Sequence, residues 1–453
     1  MNSDFKSMLS SYETATKNTR KTIDAIIDAG SFVEFDAFMG GANDLGEVKG
    51  EGVISGLASV NENDVALFAT NSEVFGGGIS KKGAEKIVRL VNRAIDAELP
   101  LVAIIDTVGA RVLEGVDALN GYGLILDAYS KAYGRIPVIT VVKGKNYGML
   151  TYLAGLSDLF VAYDKSQIAT ASPLLISASA DGKDYSDAKL HYVQDGVVTN
   201  MVANDGELKT LLSNVFEVVN DAYAMPKDDA NRVCKGLSAS SDVRAVLKEA
   251  FDVNSAVELR ADYVPEVLTA FAKLDGVSVA VIGVDGKITA KGSAKITDFL
   301  NTASNFDLPV INLVNSTGIV VDAKQETCCL IRNVSDMIYA YSNVAVPKLA
   351  LICGGAVGSA YTILANKASY DYTMSWDVAS VTPLETSSAA RLLYGEEIAK
   401  ANDQTKAEEK FAKVYADENS AMVVAEKGYV DTVLIPNHSR QYLIAALRTL
   451  VKR

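Results

Sequence analysis

The sequence predicts an α/β protein built from two copies of one domain, and two observations carry that prediction. Apolar stretches of strand length alternate with segments of helical spacing, the pattern of buried strands covered by helices. The second half also repeats landmarks of the first at a near-constant offset. Lys82-Gly83 matches Lys291-Gly292, Leu99-Pro100 matches Leu308-Pro309, Asp106 matches Asn315 and Gly109 matches Gly318, each 209 residues apart. Ile136-Pro137 then matches Val346-Pro347, Gly148 matches Gly358, and Ser172-Pro173 matches Thr382-Pro383, each 210 apart. One single-residue slip over this span marks a whole-domain duplication, far longer than a solenoid period. The charged and serine-rich residues 227–242 put the join near 250, giving domains 1–250 and 251–453.

Taken in order, residues 4–30 have the spacing of an amphipathic helix or two, ending at Gly30. Ser31 to Asp36 is extended, and the glycine-rich run from Gly40 to Gly52 is a loop. Gly52 to Val60 and Val65 to Thr70 are short strands around the turn Asn61-Glu62-Asn63-Asp64. Phe75 to Ser80 is a loop, after which Ile87, Leu90, Val91 and Ala94 share one face of a helix from Lys82 to Ala97. Leu101 to Ile105 is a continuous apolar strand that runs into Asp106-Thr107-Val108-Gly109-Ala110-Arg111. A helix from Gly115 to Tyr133, a strand from Pro137 to Val142, a helix over 149–156 and a strand from Leu159 to Tyr163 come next.

The second copy repeats this order. Within it, Leu351 to Lys367 reads as a buried strand handing over to a helix through Gly354, Gly355, Gly358 and Ser359. Small residues there let something approach the backbone, and a helix opening presents unpaired N–H donors suited to an anionic oxygen. The tail adds a helix from Glu397 to Tyr415, a strand from Val430 to Pro436 and a last helix over 439–452.

Composition bounds the function. The 453 residues are 49% hydrophobic and 22% charged, an ordinary globular balance, and the net charge of −13 argues against a nucleic-acid groove. Cys234, Cys328, Cys329 and Cys353 show neither a zinc spacing nor a disulfide framework, which fits a reducing cytoplasm. No apolar run approaches a membrane span, and the polar N-terminus is not a signal peptide.

Side-chain chemistry is sparse. His191 and His438 are the only histidines, so a histidine triad or a zinc site has little to stand on. No Gly-x-Ser-x-Gly elbow, phosphate-binding Gly-Lys-Ser loop or clean dinucleotide fingerprint occurs. Gly76-Gly77-Gly78 precedes a helix, so its N–H groups are a candidate anion cradle. Enolate stabilisation suits such a chain, because two backbone N–H groups can hold a thioester oxygen as it gains charge. The matched small-residue turns at Gly148 and Gly358 are the candidates.

Over roughly residues 22–445 the chain resembles the carboxyltransferase subunits of biotin-dependent acyl-CoA carboxylases and decarboxylases, of the propionyl-CoA carboxylase beta and methylmalonyl-CoA decarboxylase alpha type. The resemblance is carried by Gly30-Ser-Phe-Val-Glu, Val74-Phe-Gly-Gly-Gly-Ile-Ser with Gly83-Ala-Glu-Lys-Ile, and Asp106-Thr-Val-Gly-Ala-Arg-Val-Leu-Glu-Gly-Val. In the second half it is carried by Gln325-Glu326, Ala340-Tyr-Ser-Asn-Val-Ala-Val-Pro-Lys and Gly358-Ser-Ala-Tyr, with Lys367 beyond.

The resemblance implies two tandem crotonase-like (ClpP/crotonase) domains related by duplication. It implies an N-terminal domain that binds a short-chain acyl-CoA and a C-terminal domain that receives carboxybiotin. In that family the site forms between the N-half of one subunit and the C-half of another, so a homo-oligomer is implied, a dimer or a trimer of dimers. Biotin comes on a biotin carboxyl carrier protein, with a biotin carboxylase or a membrane decarboxylase subunit as further partner. The chain itself lacks the carrier's Met-Lys-Met signature. Position by position, Gly148-Met149 falls where the thioester oxygen is held and Ser359-Ala360, after Gly358, where the biotin ureido oxygen is held. The loop 106–115, with Gly109, Ala110 and Arg111, falls near the CoA. Gly76, Gly77, Gly78 and Gly318 complete the candidate binding positions, and no metal is implied. Where the family pairs glycines at both turns, this chain reads Tyr147-Gly148-Met149 and Val357-Gly358-Ser359, and the family's second-half Asp stands as Asn315. The rival readings are a subunit of a sodium-pumping decarboxylase, a non-catalytic or repurposed paralogue, and a biotin-independent crotonase-type hydrolase using Glu73 or Glu114 as base.

Overall fold

The computed structural model describes residues 3–43, 46–177, 184–219, 224–226 and 228–451. The chain forms two compact units, residues 1–216 and 217–453.

The first unit opens with one helix, α1 (Ser3–Ile26). β1 (Val33–Phe35) precedes a short antiparallel ribbon of β2 (Gly41–Asn43) and β3 (Gly46–Val48), where the sequence predicts only loop. β4 (Val53–Val60) and β5 (Asn63–Thr70) form the predicted hairpin. Asn61 and Glu62 take φ of 50° and 65° at its tip, the left-handed pair whose twist matches a two-residue turn. α2 (Lys81–Asp96) starts where the Ser80 hydroxyl accepts the Gly83 N–H, and it buries Ala84, Ile87, Leu90, Val91 and Ala94. β6 (Leu101–Thr107), α3 (Val116–Ala132), β7 (Val138–Tyr147) and β8 (Leu159–Tyr163) appear as predicted. β6 and β8 are buried nearly end to end, which explains unbroken apolar runs where a half-exposed strand would alternate. β9 (Gln167–Ala169), α4 (Pro173–Ser177), α5 (Ala188–Leu190), β10 (Asn200–Val202) and α6 (Asp205–Val219) complete the unit.

The second unit contains α7 (Val243–Ala250), β11 (Val257–Glu258), β12 (Val267–Leu274), β13 (Val277–Ile288), α8 (Ala290–Asn305) and β14 (Val310–Ile319). It continues with α9 (Ala323–Glu326), α10 (Leu330–Asn343), β15 (Lys348–Val357), α11 (Ser359–Leu364), β16 (Tyr372–Trp376) and β17 (Ser380–Thr382). Last come α12 (Thr386–Leu393), α13 (Gly395–Lys400), α14 (Gln404–Asp417), α15 (Ala421–Glu426), β18 (Thr432–Leu434) and α16 (Ser439–Leu450).

The duplication is visible strand for strand. The first sheet runs β1-β4-β5-β6-β7-β8-β10 with β9 on β7, and the second runs β11-β12-β13-β14-β15-β16-β18 with β17 on β15. The first two pairings of each sheet are antiparallel and the rest parallel. Matched residues do matched jobs. Ser80 and Thr289 cap α2 and α8 by accepting the Gly83 and Gly292 N–H groups. The carbonyls of Pro100 and Pro309 accept from Ala66 and Ala280.

Besides the β2–β3 ribbon, the structure departs from the sequence reading in three places. The units divide at 216, not near 250. Arg440 on α16 is fully buried and donates to the Asp229 and Ala250 carbonyls and to the Asp252 carboxylate, so residues 228–252 are stitched into the second unit. Residues 148–156 form a 3-10 run and not an α-helix. There the Thr151 hydroxyl donates to the Gly148 carbonyl at 2.7 Å, a bond that belongs to the tighter turn. The helix expected over 397–415 is two helices, because Asp403 accepts the Lys406 N–H and starts α14 afresh. Among the described residues no helix is long and apolar enough to cross a membrane.

Candidate functional site

Each candidate turn lies at the C-terminal end of a central parallel strand, β7 or β15, directly after a bulge. Between β6 and β7 the register jumps from Ile105↔Val142 to Thr107↔Asn146, so Lys143, Gly144 and Lys145 stand opposite Asp106 alone. The Asp106 carboxylate fills the gap and accepts the Lys145 N–H at 2.9 Å. Between β14 and β15 it jumps from Val314↔Ile352 to Ser316↔Ala356, and Cys353, Gly354 and Gly355 stand opposite Asn315. The Asn315 Oδ1 accepts the Gly355 N–H at 3.0 Å. A Cβ on Gly144 would meet Asp106 Oδ1 at 2.4 Å, and one on Gly354 would meet Asn315 Oδ1 at 2.2 Å. These two glycines therefore make room for a side chain of their own unit and not for a ligand.

Past the bulges the chain turns. Gly148 takes φ +81° and opens the 3-10 run. Met149 is partly buried and packs on the apolar core under α2 and α3. In the second unit Gly358 takes φ +51°, and its N–H donates to the Thr382 carbonyl at 2.8 Å. Ser359 and Ala360 then form the first turn of α11, where N–H groups have no intrahelical partner. Ala360 is buried and Ser359 half-buried.

The other candidate residues have structural employment. Gly77 and Gly78 donate their N–H groups to the Val74 and Phe75 carbonyls, and a Cβ on Gly77 would stand 2.0 Å from the Asp106 carbonyl. The Gly76-Gly77-Gly78 run thus folds tightly against the end of β6; the α2 N-terminus behind it is closed by Ser80 and by Glu114, which accepts the Lys81 N–H. Gly109 and Ala110 brace that loop: the Gly109 carbonyl accepts from Ile79, and Ala110 bridges to it. The Arg111 side chain is 2% exposed and pairs with Glu51 at 2.7 Å and Glu114 at 3.2 Å, its guanidinium over the Phe75 ring. It faces the interior of the unit and not a solvent-borne phosphate.

The general bases required by a hydrolase are engaged as well. Glu114 serves Arg111 and Lys81, and Glu73 accepts from Asn18. His191 sits between the Asp195 carboxylate and the Ile168 carbonyl, and its bond to Asp195 holds its pKa above the ordinary value. A cavity of about 480 Å³ in the first unit is lined by Lys21 and Lys143 but also by Glu73, Asp106 and Asp205. Lys143 is already tied to Asp205 at 2.8 Å, so the cleft holds no surplus of positive charge. Among the described residues no cluster of metal-ligating side chains occurs.

Sequence reasoning missed the pinning roles of Asp106 and Asn315 and the buried lysines Lys86 and Lys295. The 209-residue spacing of Lys86 and Lys295 was the available signal, since it matches the repeat.

A family model described as a carboxyl transferase domain matches residues 10–453. The chain is 29% identical to the propionyl-CoA carboxylase carboxyltransferase subunit of Haloferax mediterranei, covering 97% of this chain and 92% of that protein. It is also 29% identical to the methylmalonyl-CoA decarboxylase subunit alpha of Veillonella parvula, covering 96% and 90%. A transcarboxylase 12S structure, solved with methylmalonyl-coenzyme A and methylmalonic acid bound, superposes with a TM-score of 0.89 at 24% identity, covering 98% of this chain and 92% of that one. That likeness shows the fold and bears out the two tandem crotonase-like domains. With the family model spanning nearly the whole chain, this protein belongs to the carboxyl transferase domain family.

Proposed function

We propose that the chain is the carboxyltransferase subunit of a biotin-dependent acyl-CoA carboxylase or decarboxylase. The observation that carries the reading is the matched pair of turns, each aimed by a pinned bulge. In the first unit the backbone N–H groups at Gly148-Met149 hold the thioester oxygen of a short-chain acyl-CoA and stabilise it as an enolate forms. In the second unit the N–H groups of Ser359 and Ala360, past Gly358, receive the ureido oxygen of biotin. The donor set there fits an uncharged acceptor oxygen: two unpaired N–H groups beside a glycine whose Cβ would already crowd the Pro383 carbonyl at 3.1 Å. Biotin, brought by a biotin carboxyl carrier protein, supplies or accepts the carboxyl group; a biotin carboxylase or a membrane decarboxylase subunit loads or unloads that carrier. In the first unit the loop around Gly109 and Ala110 shapes the binding face through its backbone, and Arg111 contributes by holding that loop; in the second unit Gly318, near the end of β14, does the same for the other face.

The substrate class is supported by relatives named as a propionyl-CoA carboxylase beta chain, a biotin-dependent acetyl-/propionyl-coenzyme A carboxylase subunit and a methylmalonyl-CoA carboxyltransferase 12S subunit. Exposed apolar side chains support self-association into a homo-oligomer. Val112, Leu113, Val116 and Leu119 stand out in the first unit, and Val321, Ile331 and Tyr339 in the second. Four free cysteines support a cytoplasmic location.

The test is decarboxylation of malonyl-CoA or methylmalonyl-CoA with free biotin or a biotinylated carrier. The chain should also bind CoA by calorimetry; absence of both binding and activity overturns the reading. Gly358→Val should abolish the biotin-dependent reaction and leave CoA affinity within about twofold. A large loss of CoA affinity in that variant would show the units' roles to be exchanged.

A further inference from the structure

The bulge of β15 is held by a two-member clamp that the first unit does not reproduce. Asn315 lies directly opposite Asp285 in the parallel β13–β14 register. Its Oδ1 is committed to the Gly355 N–H at 3.0 Å, which fixes the amide so that Nδ2 must donate elsewhere. It donates to Asp285 Oδ1 at 2.7 Å. In the first unit Asp106 accepts the matching Lys145 N–H with no described side-chain donor to its carboxylate; Asn71, the first residue past β5, bonds Ala15 and Thr19 instead. The second unit therefore uses a neutral acceptor whose orientation a neighbouring carboxylate enforces.

We propose that Asn315, oriented by Asp285, is a positioning residue for the biotin-side turn. It sets the three-residue bulge from which β15 runs to Gly358 and the first turn of α11. The inference rests on the carboxyltransferase reading of that turn. A bulge re-aims the strand beyond it, and a displacement of about 1 Å at a reacting centre costs about a hundredfold in rate. Neither residue touches substrate; each acts through the backbone of residues 354–358.

The charge pattern supplies the experiment. Asn315→Asp keeps an acceptor for Gly355 but sets a carboxylate against Asp285, and two like charges at that spacing cannot both ionise without cost. Exchanging the pair, with Asn315→Asp and Asp285→Asn together, restores one donor and one acceptor in the same gap. In the full-length protein, Asn315→Asp should lower kcat of the biotin-dependent reaction by about ten- to a hundredfold with the KM for acyl-CoA nearly unchanged. The exchanged double variant should regain most of it. A purely structural role would lower folded protein and KM-side terms together, with the double variant no better than the single, and that result overturns the proposal. The Gly355 amide resonance separates this from failure of the functional reading. If it shifts in Asn315→Asp and returns in the double variant while the unmodified protein shows no biotin-dependent activity, the clamp stands and the carboxyltransferase reading falls, and the positioning role with it.

Discussion

Gly318 faces the carbonyl oxygen of Val357 so closely that a Cβ would stand 2.9 Å from it, at a φ of +94°. Gly109 faces the Tyr147 carbonyl in the same way, at 3.3 Å and φ +113°. In both units the chain at the end of the middle strand is pressed against the last residue before the candidate turn. Gly318→Ala should therefore destabilise the protein by about 1–3 kcal/mol, and Gly109→Ala by somewhat less. Gly355→Ala meets only ordinary contact, at 3.6 Å from the Ser316 carbonyl, and serves as the near-neutral control. Urea midpoints at unchanged slope would measure all three.

Arg111 offers a prediction that separates a structural cation from a CoA ligand. Its removal leaves Glu51, 4% exposed at the side chain, as an uncompensated buried charge. Arg111→Met should cost about 3–5 kcal/mol, and adding Glu51→Gln should recover much of that loss. CoA affinity of the folded fraction should fall by no more than about threefold by calorimetry, since Arg111 acts only by holding the loop. A tenfold or greater fall in affinity with stability intact would place Arg111 at the ligand after all.

The order of elements was legible because continuous apolar runs, helical spacing and the repeat agreed with one another. What escaped the sequence were choices made by single long-range contacts. The join at 250 looked natural from composition, yet Arg440 reaches back across the linear sequence to Asp229 and Ala250. Gly354 looked like space for a ligand, but the space is filled by Asn315, whose partner is Asp285 on the next strand. The Gly76-Gly77-Gly78 run has a phosphate loop's composition, but Gly77 and Gly78 spend their N–H groups within the loop. Spacing reports which residues share a face; it does not report which face is already occupied. The turns at Gly148 and Gly358 were found because duplication marked them twice.

His191 should make one segment of the first unit sensitive to pH. Both ring nitrogens face acceptors, Asp195 at 2.7 Å and the Ile168 carbonyl at 3.1 Å, and the Asp195 bond raises the imidazole pKa. A raised folded pKa stabilises the fold fully below the unfolded value of 6.5, and that contribution is lost as pH rises through the folded value. The anchored segment bonds to β9 and its approach, with the Ile168 N–H donating to the Ser186 carbonyl and the Ala188 N–H to the Ser166 carbonyl. After correction for intrinsic rates, hydrogen exchange at these amides should speed up between about pH 6 and pH 8, the range in which histidine titrates. His191→Gln should remove the pH dependence, and an unchanged profile in that variant would assign it to another group.

Lys295 and its matched residue Lys86 hold strained backbone in place from the middle of their helices. The Lys295 ammonium is buried and donates to the carbonyls of Arg260 at 2.8 Å, Tyr263 at 2.6 Å and Val267 at 2.6 Å. Inside that ring of acceptors, Val264 takes φ +48° and Arg260 φ +53°, a left-handed conformation that is costly for a β-branched residue. Lys86 donates to the carbonyls of Gly50 and Val53 around a left-handed run, Gly50 to Gly52, in which two of three residues are glycine. The second unit has more strain to contain and gives its lysine more acceptors. Lys295→Met strips the carbonyls of their donor and leaves the strain unopposed, so it should destabilise by about 3–5 kcal/mol, more than Lys86→Met. Val264→Gly relieves the strain at its source. It should therefore cost less in the Lys295→Met background than in the unmodified protein, by about 1 kcal/mol in a double-mutant cycle. Strict additivity of the two would show that the lysine bonds and the left-handed valine are independent.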